Sequence, residues 1–61
     1  MRQPENEISV YEVGNMSFCD LIEADRWIEI GGGSTERTAI RAGIRRLKKL
    51  TRELEQMEAK L

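Results

Sequence analysis

The sequence predicts a mostly α-helical fold: one short β-strand followed by two α-helices, completed only as a homodimer. Three observations lead there. A single β-type run, Ile8 to Val13, finds no second strand-like run in the chain to pair with. Two segments with helical apolar spacing flank a glycine triplet, Gly31 to Gly33. The chain has 61 residues, one cysteine and no histidine, so neither an internal disulfide nor a zinc site can reinforce a thin core. Association with another copy is the remaining route to stability.

Residues 1–7, "MRQPENE", are polar, hold the only proline, and are expected to form a flexible arm. "ISVYEV" follows, dense in β-branched and aromatic residues, and Gly14-Asn15 ends it. "MSFCDLIEADRWIEI" has the signs of a helix. Ser17 can cap it, with Asp20 three positions on. Phe18, Leu21, Ala24 or Asp25, and Ile28 recur at helical spacing, with Ile22 beside them, and Gly31 supplies the stop. Trp27 and Cys19 are expected in a core or interface.

Ser34 or Thr35 can cap a last helix that runs to Leu61. Its apolar positions alternate by three and four. Ile40, Leu47, Leu54 and Leu61 fall at a, and Gly43, Leu50 and Met57 at d, of a heptad seam. Ala39 and Ile44 widen the stripe only in the first turns. The globular part, 8–50, is thus expected to end near Leu50, leaving 51–61 as a helical extension. Gly43 sits on the seam and has two explanations. It allows two paired helices to approach closely, which its position favours, or it is a tolerated defect costing about 1 kcal/mol against Ala.

The net charge of −1 conceals a block structure. Residues 1–30 carry seven acidic side chains against two basic, net −5. Residues 31–52 carry seven basic against one acidic, net +6, and residues 53–61 return to −2. A basic helix between acidic flanks points to a polyanion, or to a solvated face. Catalysis is not expected: there is no histidine, Ser9, Ser17 and Ser34 have no nearby base, and Gly31–Gly33 lack the lysine of a phosphate loop. No metal or cofactor is expected. "MRQPENEIS" has no apolar core and no run approaches about 18 apolar residues, so neither a signal peptide nor a membrane span is expected. A lone thiol fits a reducing, cytoplasmic setting.

Strand, helix, glycine turn and helix, with dimerisation required, resemble the ribbon-helix-helix family. Within it, the Gly31, Ser34, Thr35 sequence followed by "AIRAGIRRL" from Ala39 to Leu47 is most similar to ParD-type antitoxins. The resemblance implies a domain over 8–50 in which paired strands enter the DNA major groove and four helices form the core. It implies a dimeric, sequence-specific repressor of double-stranded operator DNA, autoregulatory and antitoxin-like, with a toxin as a candidate partner. Ile8 and Val10 would face inward, joined at the dimer centre by Ile40, Gly43 and Leu47. Glu7, Ser9 and Tyr11 would then face the bases, the preferred register; the other would expose Ile8, Val10 and Glu12 and bury Ser9. Ser34 and Thr35 would offer backbone N–H groups to a phosphate, with Arg37 and Arg41 adding charge.

The competing expectation is a helical protein-interaction module without DNA. There the seam through Leu50, Leu54, Met57 and Leu61 binds a partner helix. In a parallel self-pair Glu53 would oppose Glu58 of the other chain, which favours a different partner for the extension.

Overall fold

The computed structural model describes residues 7–61 and shows three strands followed by one helix: β1 (Ile8–Val13), β2 (Met16–Glu23), β3 (Arg26–Gly33) and α1 (Glu36–Ala59). The strands form an antiparallel meander in the order β1-β2-β3, and α1 packs on one face. This overturns the expected one-strand, two-helix ribbon fold. β1 finds its partner inside the chain, with Ile8 opposite Leu21, Val10 opposite Cys19 and Val13 opposite Met16. The Glu7 carbonyl extends the ladder by accepting from the Ile22 N–H at 2.7 Å. Residues 1–6, most of the expected arm, lie outside the described residues.

The segment expected as the first helix is a hairpin arm on each side of a turn. Gly14-Asn15 does not merely end β1. It is a two-residue hairpin loop in which Gly14 holds φ at 62°, a conformation that glycine adopts without penalty. Ala24-Asp25 makes the second loop, with Ala24 at φ 55°. Alanine there costs about 1 kcal/mol, so the turn is imposed by the strands it joins. Ser17, Cys19 and Leu21 alternate with Phe18, Asp20 and Ile22, the period-two pattern of a strand. The apolar residues of this segment fit both periods, and the hairpin loops decide between them.

Gly31 to Gly33 are the end of β3, paired with Cys19, Phe18 and Ser17, and not a turn between helices. The register slips between Cys19 and Asp20. Cys19 faces Gly31 and Asp20 faces Glu29, which leaves Ile30 as the extra residue of a bulge. The bulge turns Ile30 into the core, at 9% exposure, while Trp27 and Glu29 stay on the far face.

Thr35, not Ser34, caps α1. Its hydroxyl accepts from the Thr38 N–H at 3.2 Å, and the Thr38 hydroxyl oxygen accepts from the Thr35 N–H at 3.0 Å. The helix presents Ala39, Gly43 and Leu47 to the sheet. Ala39 is fully buried and forms the core with Cys19 and Ile30, with Val10, Leu21 and Leu47 packed around them. A Cβ on Gly31 would lie 2.5 Å from the Gly43 nitrogen and would overlap the Ala39 carbonyl oxygen. A Cβ on Gly43 would meet Ile30 at 3.2 Å and the Cys19 sulfur at 3.3 Å. The favoured role of Gly43, close approach at a dimer centre, is corrected accordingly: the close approach is made to β3 and β2 of the same chain.

At 24 residues, α1 is about 36 Å long and outruns strands of about 26 Å. Exposure climbs along its apolar stripe. Leu47 is half-buried, Leu50 is 37% exposed, Leu54 and Met57 are 64% exposed, and Leu61 beyond the helix end is bare.

Two substitutions test this packing. Gly31→Ala pushes helix backbone off strand backbone and should cost about 3 kcal/mol. Ala24→Gly relieves the left-handed turn and should gain roughly 0.5 kcal/mol after the added unfolded-chain entropy is subtracted. Urea unfolding followed by circular dichroism reads both.

Candidate functional site

Two surfaces carry the chemistry, in separate layers of the molecule. The first is the outer face of α1. At 3.6 residues per turn, Arg37, Arg41, Arg45, Lys48 and Arg52 form one column opposite the Ala39, Gly43, Leu47 stripe. All five are exposed, and the column spans about 22 Å. Beside it lies a shallow, open groove between side chains of the one helix, lined by Ile40 and Ile44, 41% and 47% exposed, and by Arg37, Arg41, Arg45 and Lys48. Glu36, at the helix start, is the acidic residue of this groove.

The second surface is the open face of the sheet, turned away from α1. All three aromatic residues of the chain stand on it. Tyr11 and Phe18 lie on neighbouring strands with ring centroids 5.7 Å apart. Trp27, opposite Ile22, is 55% exposed. Ring and aliphatic surfaces surround a row of Ser9, Asp20 and Glu29, one from each strand. Asp20 is 5% exposed. Its Oδ2 accepts the Tyr11 hydroxyl at 3.0 Å, and its Oδ1 is buried without a donor among the described residues. The hydrogen bond to Asp20, then desolvation and the charges of Asp20 and Glu29, raise the Tyr11 hydroxyl above its ordinary 10.0. Behind Asp20, burial raises the Cys19 thiol and the Asp20 charge adds to it, so this cysteine is a protonated core group.

The residues expected to meet DNA are divided between these layers. Ser9 and Tyr11 share the open sheet face, and the Tyr11 hydroxyl is engaged by Asp20. Glu7 is exposed beside β1. Ser34 is exposed before the helix, and Thr35 is occupied in the cap. Only Arg37 and Arg41 belong to the basic column. Of the residues expected at a dimer centre, Val10, Gly43 and Leu47 pack inside the chain, while Ile8 and Ile40 are exposed. Leu50, Leu54, Met57 and Leu61 remain exposed along the extension. Helical spacing hides the meeting of Asp20, Phe18 and Trp27: the period-two alternation of 16–23 is the signal that places Phe18 and Asp20 on one face, and the pairing of Trp27 with Ile22 brings the third.

No family model, curated protein or solved structure matches the chain, and nothing in those comparisons identifies a ribbon-helix-helix family. Among the described residues no group of three or more metal-binding side chains comes together, and no helix is long and apolar enough to cross a membrane.

The Tyr11–Asp20 bond sets an alkaline limit. Because the folded hydroxyl titrates above its unfolded value, its contribution is complete below pH 10.0 and is lost as pH rises through the raised value. Tyr11→Phe leaves both Asp20 oxygens without a donor. It should lower the melting temperature at neutral pH and flatten the alkaline loss, as read by thermal melts from neutral pH upward.

Proposed function

We propose that the chain is a small DNA-binding regulator that holds double-stranded DNA against the outer face of α1. The observation that carries this is the column of Arg37, Arg41, Arg45, Lys48 and Arg52 on the solvent side of one helix, with most of the chain's carboxylates in the sheet layer and the extension. A helix fits the major groove, and cations spaced at one-turn intervals can follow a phosphate backbone. The sheet takes the opposite part. Residues 7–30 carry six acidic side chains against Arg26 alone, so Ser9 and Tyr11 stand in a field that repels phosphate. Contact to DNA therefore centres on the column, and control of transcription from the chain's own promoter is the regulatory role we attach to it.

A second reading is favoured by one observation. Leu54 and Met57 are 64% exposed in strict continuation of the core stripe, which suits a partner helix. On that reading a chain truncated after Leu50 keeps the core and loses partner binding.

Fluorescence anisotropy with labelled duplex, at two salt concentrations, tests the DNA proposal. Binding should weaken steeply with salt. Arg41→Ala and Arg45→Ala should each weaken all sequences alike and reduce the salt slope by about one. Ser9→Ala should change neither affinity nor slope. Binding that is absent at low salt, or lost in Ser9→Ala and kept in Arg41→Ala, overturns the proposal.

A further inference from the structure

The open sheet face and the groove on α1 are complementary, and both belong to the same chain. An antiparallel sheet covered on one side ordinarily shows polar residues on the other. Here the uncovered side carries Tyr11, Phe18, Ile22 and Trp27, with Val13 and Met16 60% and 45% exposed at its edge. The core between sheet and helix, by contrast, contains Cys19, Ile30 and Ala39 and no fully buried large side chain. Even with Val10, Leu21 and Leu47 packed around that core, the side left without a cover holds all three aromatic residues of the chain, as in a domain missing one of its layers.

Charge selects the cover. Asp20 and Glu29 lie among the aromatic side chains, and Asp20 Oδ1 is a buried acceptor without a donor among the described residues. Packing this face against itself would bring carboxylates together. The cover must be apolar and basic. The α1 groove is both, with Ile40 and Ile44 between Arg37, Arg41 and Lys48. It cannot reach the open face of its own sheet, because α1 is packed on the other side.

We propose that a second copy of the chain supplies the cover, its α1 groove seated on the open sheet face of the first. Ile40 and Ile44 pack against Trp27 and Phe18, and arginines of the groove meet the exposed Glu29 carboxylate. The contact is head-to-tail, so a pair keeps one free face of each kind, one on either copy, and the assembly continues until a ring closes or a filament grows. Because Arg41 serves both surfaces, DNA on α1 and a neighbouring sheet exclude one another. The assembly itself does not depend on the DNA reading and is measured without DNA.

The test uses two variants, each broken on one face at exposed positions: Trp27→Ser with Glu29→Gln, and Arg41→Glu with Ile44→Glu. Sedimentation of the wild-type chain should show an average mass rising with concentration, and Trp27 emission should move to the blue as it does so. Each variant alone should sediment as a monomer. Mixed, they should form a one-to-one complex that grows no further, since one intact face remains on each. The single variants Trp27→Ser and Ile44→Glu provide the same pairing should a double variant lose its helical circular dichroism. A wild-type monomer at the highest concentration overturns the proposal. So does a closed dimer that both variants retain, which would point to pairing through Leu54 and Met57 or through the β1 edge.

Discussion

The fold rests on the place where α1 touches β3 backbone to backbone. Gly31 and Gly43 lack side chains where the two elements cross, and Ala39 fills the remaining space beside them. Packed layers of secondary structure ordinarily stand about 10 Å apart because side chains separate them. Here the separation is reduced until Cys19 and Ile30 reach the helix backbone at Gly43, and the core closes with few large residues. The same contact fixes the direction of α1. Thr35 and Thr38 lock the first turn soon after Gly33, so the apolar stripe of the helix faces the sheet from its start and the basic column faces solvent.

That contact also explains which parts of the molecule were legible in the sequence. The long helix was, because seam spacing sustained from Ile40 to Leu61 has one interpretation at that length. β1 was, because the unbroken β-type run from Ile8 to Val13 has one interpretation too. The residues between them were not. Phe18, Leu21 and Ile28 satisfy a helical period, and Cys19, Leu21 and Phe18, Asp20, Ile22 satisfy a strand period, over a stretch too short to separate the two. Gly14-Asn15 was the decisive local signal, since a two-residue loop with glycine first joins strands of a hairpin. Ala24-Asp25 hid the second hairpin, because local propensity opposes alanine at positive φ and only the paired strands enforce it. The glycine triplet misled for a similar reason: three glycines suggest a turn, but these three are needed where a helix backbone and the Phe18 ring come close to β3.

The candidate site was legible in charge and not in geometry. The division into an acidic first half and a basic helix is plain in composition, and Arg37 and Arg41 could be named from it. That Arg45, Lys48 and Arg52 join them in one column requires only the helix. The open face required the sheet. Tyr11, Phe18 and Trp27 are far apart along the chain, and two hairpins bring them together with Asp20 and Glu29. Once the middle segment is taken as a helix, no spacing argument can place them on one surface.

The apolar stripe of α1 and the apolar face of the sheet pose the same physical problem at opposite ends of the molecule. Each continues past the point where the chain's own partner stops. The core offers little stability to a single copy, since no large side chain in it is fully buried. The stripe runs on past Leu50, and Phe18 and Trp27 stand on a sheet face where polar residues are the rule. The two surplus surfaces differ in charge. The extension beyond Arg52 is net −2, whereas the groove at Ile40 and Ile44 is strongly basic. The acidic sheet face therefore repels the extension and attracts the groove. Charge thus separates two apolar surfaces that burial alone would treat as equivalent, and it assigns the sheet face to the groove and leaves the extension for a helix of other composition.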